Sequence, residues 1–94
     1  MPLKTLDYND PELPSRDEIR AAMLARLPEV LRHLFPNGRQ LKREFQIGSL
    51  QGEKGQSLRV SMSGEKTGLW QDFESGQGGD IFDLWAAVHG LDIQ

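Results

Sequence analysis

No cysteine occurs anywhere in this 94-residue chain. Disulfide staples and thiolate metal ligation are therefore excluded, and the fold has to rest on packing alone. Long apolar runs are also missing, and nothing approaches the roughly 20 residues that a membrane-spanning helix needs. The opening Met1-Pro2-Leu3-Lys4 lacks the apolar stretch of a secretory signal, so a cytoplasmic location without membrane contact is expected. Histidine is scarce: His33 and His89 have no nucleophile or ligand partner at useful spacing. Without a triad or an acid–base pair, the chain is not expected to be an enzyme by itself. What remains is 37% apolar and 27% charged, the composition of one small soluble domain. At this size about 60–65% of the unfolded surface is buried, so one modest core is the most to expect.

Charge is unevenly spread. Residues 32–66 hold seven bases, Lys54 among them, against three acids, whereas residues 67–94 hold five acids and neither Lys nor Arg. A basic middle suits a phosphate backbone. The net charge of −3 works against that reading.

Order along the chain begins after residues 1–14, where Pro2, Pro11 and Pro14 mark a flexible leader. Ser15-Arg16-Asp17-Glu18 has the form of a capping box, and Ile19, Met23 and Leu27 follow at helical spacing. Pro28 suits the first turn of a second helix whose apolar face is Val30, Leu31, Leu34 and Phe35. Pro36-Asn37-Gly38 stops it. The period then falls to two. Phe45 and Ile47 mark one strand, Leu58, Val60 and Met62 a second, and Thr67–Phe73 a third, with tight turns between them. Ser75–Gly79 reads as a flexible loop, Asp80 as the cap of a closing helix carrying Ile81, Leu84, Trp85 and Val88, and Gly90 as its left-handed end. The expected class is α+β: two N-terminal helices (15–36), a small antiparallel sheet of three or four strands (42–73) and a C-terminal helix (79–90). The absence of a tail after Leu91-Asp92-Ile93-Gln94 suggests the N-terminal fragment of a longer protein.

Several short strings carry a resemblance over Phe45 to Leu91. Gly48-Ser49-Leu50-Gln51-Gly52-Glu53-Lys54, running on to Ser57-Leu58-Arg59-Val60, resembles the start of the zinc-ribbon domain of bacterial and phage DNA primases. Leu69-Trp70-Gln71-Asp72-Phe73, followed by Gly78-Gly79-Asp80-Ile81 and by Val88-His89-Gly90-Leu91, is similar to that family's aromatic strand, knuckle and helix. Gly68, Trp70, Asp72 and Phe73 with Gly78–Asp80 resemble metal-less variants in phage and plasmid primase–helicases and other Toprim-containing proteins. The resemblance implies an antiparallel sheet flanked by helices, with one sheet face on single-stranded DNA template during DNA replication. It places the four ligand positions on Gly48, Gln51, Gln71 and Glu74, none of which is a thiolate or an imidazole. No zinc and no other cofactor is therefore expected. The implied partners are single-stranded DNA and a catalytic domain beyond Gln94, and the isolated domain is expected to be a monomer.

Trp70, Phe73 and Trp85 are the aromatics expected to replace the metal in the core, each able to bury roughly 150–250 Å². Trp70 has a second reading as a platform for an unpaired base. Lys42, Arg43, Arg59 and Lys66 are the candidates for a strand-binding face, with a plain solvated face as the alternative. Asp72, Glu74, Asp80 and Asp83 read as a solvated acidic edge rather than a Mg²⁺ site. The rival function is a protein-interaction or spacer domain that docks on its parent and has lost DNA binding.

Overall fold

A computed structural model of the chain describes residues 14–90, so the expected leader, Pro14 excepted, and the Leu91–Gln94 end lie outside the described residues. Eight elements follow one another: α1 (Arg16–Ala25), α2 (Leu27–Leu34), β1 (Arg39–Gln40), β2 (Glu44–Ile47), β3 (Leu58–Ser61), β4 (Trp70–Asp72), β5 (Gly78–Gly79) and α3 (Ile81–Val88). The class is α+β, as expected. The strands form one antiparallel sheet in the order β1-β2-β3-β4-β5, a meander in which each strand pairs with the next.

Caps set the helix ends. The Ser15 hydroxyl accepts from the Glu18 N–H at 3.1 Å and opens α1. Pro28 occupies the first turn of α2, where its missing N–H costs nothing. A complete capping box opens α3: Asp80 accepts from the Asp83 N–H at 2.9 Å, and Asp83 accepts from the Asp80 N–H at 3.0 Å. Gly90, at φ +68°, closes it in the left-handed region.

Five strands stand where three or four were expected. The two additional ones are two-residue edges, too short to show a period. β1 pairs Arg39 with Gln46 and Gln40 with Phe45. β5 lies in the segment read as a loop, and pairs Gly79 with Trp70 and Gly78 with Gln71. The third strand is shorter than Thr67–Phe73. Thr67 and Gly68 belong to a turn in which Gly68 takes φ +87° with Leu24 packed so close that a Cβ would meet its Cδ2 at 2.3 Å.

Period two sorts the sheet into two faces. Phe45, Ile47, Leu58, Val60 and Trp70 point to one side and join Leu27, Leu31 and Phe35 of the helical part and Ile81 and Leu84 of α3 in one buried cluster. The helices thus cover one face and leave the other open. The aromatic share of the core differs from expectation. Phe35, Phe45 and Trp70 supply it, with the first two rings 6.3 Å apart. Phe73 is 63% exposed. Trp85 is half-buried and stacks between His33 (5.6 Å) and His89 (4.5 Å). The reason is geometric. Phe73 lies an odd number of residues from Trp70 on an extended strand, so it faces the other way. Trp85 lies beside the buried Leu84 and Ala86 on α3 and only grazes the core.

Helix α1 has no fully buried residue, and polar contacts tie it to α3. The Arg20 guanidinium lies 3.0 Å from Asp80 and 3.1 Å from Asp17. The Arg20 Nε is buried and close to Asp80 without the alignment of a hydrogen bond, so this contact acts as an ion pair. Arg16 reaches Asp83 at 4.0 Å and sits 4.7 Å over the Phe82 ring.

Candidate nucleic-acid interface

The open face of the sheet is built by the residues that alternate with the core. Register gives its rows. Glu44 on β2 pairs with Ser61 on β3, and Gln46, Arg59 and Gln71 line up across β2, β3 and β4. Beyond them the Phe73 N–H donates to Ser57 O at 2.8 Å and extends the β3–β4 ladder by one row. Leu69, Gln71 and Phe73 therefore share the open side of β4, and all three are exposed.

A shallow open groove of about 620 Å³ runs over this face. Arg43, at the entry to β2, and Lys66, in the β3–β4 turn, stand at one end, while Arg59 and Phe73 stand towards the other. The Arg59 Nε donates to Gln56 O at 3.0 Å, and its guanidinium carbon lies 5.3 Å from the Phe73 ring centroid. An exposed cation–π contact of this kind contributes about 0.5–1 kcal/mol, enough to favour one ring orientation without locking it. Two carboxylates, Glu44 and Asp80, also border the groove, but both are engaged: Glu44 accepts from the Gln46 amide at 2.7 Å, and Asp80 pairs with Arg20.

Of the candidate residues, Arg43, Arg59 and Lys66 come together in this groove, although they are separated in sequence. Lys42 is exposed in the same bend as Arg43 but does not line it. Trp70 borders the groove yet is only 6% exposed, and its indole N–H donates to Asp80 O at 2.9 Å. Its ring belongs to the core and offers no open face to a base. The exposed ring is Phe73, which sequence reasoning placed in the core. Leu69 and Phe73 were missed as site residues and Gln71 was read only as a degenerate ligand position, although the period of two counted outward from Trp70 places all three on the open face.

The acidic edge is not one solvated patch. Asp72 is 3% exposed, and its Oδ1 accepts from the Glu74 N–H at 2.9 Å. Backbone bonds from Asp72 N to Gln77 O and from Gly76 N to Asp72 O, both 2.8 Å, close the same turn. A buried carboxylate is tolerated there because backbone donors meet it. Asp80 and Asp83 are occupied by the capping box, which argues against an anion at the N-terminus of α3.

The four positions that the resemblance assigns to metal ligands do not suit a metal. A Cβ at Gly48 would lie 2.7 Å from Glu53 Oε1 and 2.8 Å from Glu53 O, so no ligating side chain fits there. Hydrogen bonds close this turn instead: Gly48 N to Glu53 O at 2.7 Å, Ser49 Oγ to Glu53 Oε2 at 2.8 Å and Gln51 N to Ser49 Oγ at 3.1 Å. Gln71 faces the groove, and the Glu74 backbone is held by Asp72. The chain matches no family model, no curated protein and no solved structure.

Proposed function

We propose that the open face of the sheet binds single-stranded DNA, and that the domain serves as a template-recognition module of a primase or primase–helicase-like protein in DNA replication. The observation that carries the reading is the groove itself, where three cations meet an exposed aromatic ring on a face that no other described element covers. Cations along a groove track phosphates, and an exposed ring stacks bases without regard to sequence. The resemblance of Gly48–Val60 and Leu69–Leu84 to primase zinc ribbons, and of Gly68, Trp70, Asp72, Phe73 and Gly78–Asp80 to their metal-less variants, supports the same reading. So does the topology, because β2 and β4 run in the same direction and the Gly48–Glu53 and Asp72–Gln77 turns leave the sheet at the same end. In this reading the domain positions template for catalysis elsewhere and carries no reaction of its own.

Titration of a short labelled single-stranded oligonucleotide at several salt concentrations tests it. Three phosphate contacts predict a slope of log K against log salt near −2, at roughly 0.7 per phosphate for single strands. Resonances of Arg43, Arg59, Lys66 and Phe73 should shift on binding, and those of Leu31 and Leu84 should not. The rival reading, a protein-docking surface, draws on Leu69 and Phe73, which leave apolar groups 46% and 63% exposed in the same groove. Absence of any shift at millimolar DNA would favour that rival.

A further inference from the structure

We infer that the binding face extends past the groove to the edge strand β1, where Arg39 holds one further phosphate of the bound DNA. This inference rests on the single-stranded DNA reading above. Arg39 does not line the groove, and register alone brings it to the face. Directly paired residues of an antiparallel ladder share one side of the sheet. Arg39 pairs with Gln46, Gln46 with Arg59, Arg59 with Gln71 and Gln71 with Gly78, so one row crosses all five strands. Gln46 alternates with the buried Phe45 and Ile47, which sets the whole row on the open side. The flanking rows hold Glu44, Ser61 and Leu69 on one side, and Ser57 and Phe73 on the other. Arg39 and Arg59 thus stand two strand spacings apart, about 9–10 Å, with one amide side chain between them.

That amide is neutral and engaged. Gln46 is 8% exposed and donates to Glu44 at 2.7 Å, and Glu44 is the one carboxylate that the described strands carry on this face. Arg39 itself is exposed, and among the described residues no carboxylate pairs with it. The backbone that carries it is fixed on both sides. Gly38 packs so tightly on the Phe45 ring that no Cβ fits there, and its N–H donates to Phe35 O at 2.9 Å. The Leu41 N–H donates to Glu44 O at 2.8 Å and closes the hairpin. An exposed guanidinium on a fixed backbone meets a phosphate at the cost of ordering its own side chain alone. DNA that stacks a base on Phe73 and sets a phosphate on Arg59 reaches Arg39 by passing over the neutral Gln46.

The test follows binding of a labelled oligothymidylate of about ten nucleotides by fluorescence anisotropy over a range of salt, with Arg39→Ala, Arg39→Lys and Arg32→Ala beside the unaltered chain. Arg39→Ala should flatten the slope of log K against log salt by about 0.7, the value of one single-strand phosphate contact, so its affinity deficit shrinks about fivefold for each tenfold rise in salt. Arg39→Lys keeps the charge and should retain the wild-type slope. Arg32→Ala removes the same charge from α2, which packs on the other side of the sheet, and should bind as the unaltered chain does. Circular dichroism should show the fold unchanged in all three. An unchanged slope in Arg39→Ala overturns the inference, leaves DNA binding by the groove standing and makes Arg39 an edge charge that deters strand pairing. An equal loss in Arg32→Ala, or one that Arg39→Lys shares, overturns it as well. No binding by the unaltered chain overturns both readings.

Discussion

Phe73 and Trp70 lie on one strand segment three residues apart and have opposite roles. Trp70 is 6% exposed and Phe73 63% exposed. Trp70→Ala should cost about 3–5 kcal/mol of stability, because a large buried ring leaves a cavity that closes only in part. Phe73→Ala should cost no more than about 0.5–1 kcal/mol of stability, the worth of its exposed contact with Arg59. The same substitution should weaken single-stranded DNA binding by about 1–3 kcal/mol, the worth of one stacked base. Urea unfolding and anisotropy titration of the two variants check the pair. A marginal domain lacking Trp70, with Phe73→Ala costing as much stability as Trp70→Ala, would return both rings to the core. The stacking term exceeds the roughly 0.5–1 kcal/mol of the Arg59 contact, so a base can displace the guanidinium from the ring. Both assignments follow from counting the strand in twos. The placement of Phe73 among core aromatics weighed its hydrophobicity above its parity with Gln71.

At the scale of elements, Asp80 links three of them. It caps α3, pairs with Arg20 of α1, and its carbonyl accepts from the indole of β4. Asp80→Ala should lower stability by about 0.5–2 kcal/mol through loss of the cap. Asp80→Asn keeps a capping oxygen and loses the charge, so it should cost less. What Asp80→Asn does cost reads the Arg20 pair, about 0–1 kcal/mol because both side chains remain about a third exposed. Thermal melts of the two variants separate the terms; equal losses would mean that the ion pair, not the cap, holds this corner. The cap was legible from Asp80 before an apolar stripe. Its partnership with Arg20 was not, because nothing local connects residues sixty positions apart. β1 and β5 were illegible for another reason. Two residues carry no period, and Gly78-Gly79 pairs by backbone alone, so its only sequence signal was that of a loop.

For the whole molecule, the described residues build a core of ten buried apolar side chains with helices on one face of a five-stranded sheet, and this core is expected to stand without a metal. The unfolding midpoint should be the same with and without excess chelator. A fall of several degrees would show that a metal supports the fold, since structural zinc contributes on the order of 10 kcal/mol in small metallo-domains. Charge is also redistributed by folding. The acid-rich C-terminal third is not one acidic surface, because Arg16 and Arg20 lie against Asp83 and Asp80 while Asp72 is buried in its own turn. No described helix is long and apolar enough to cross a membrane. The sequence by itself determined the α+β class, the helix caps, the three central strands and the glycine end of α3. Each of these is set by contacts within a few residues or by a period the chain carries along its length. Only the tertiary structure decided which face of the sheet the helices cover, and therefore that Arg43, Arg59 and Lys66 share a groove with Phe73 while Lys42 does not. Side-chain direction is local, but what lies opposite a side chain depends on the packing of distant segments.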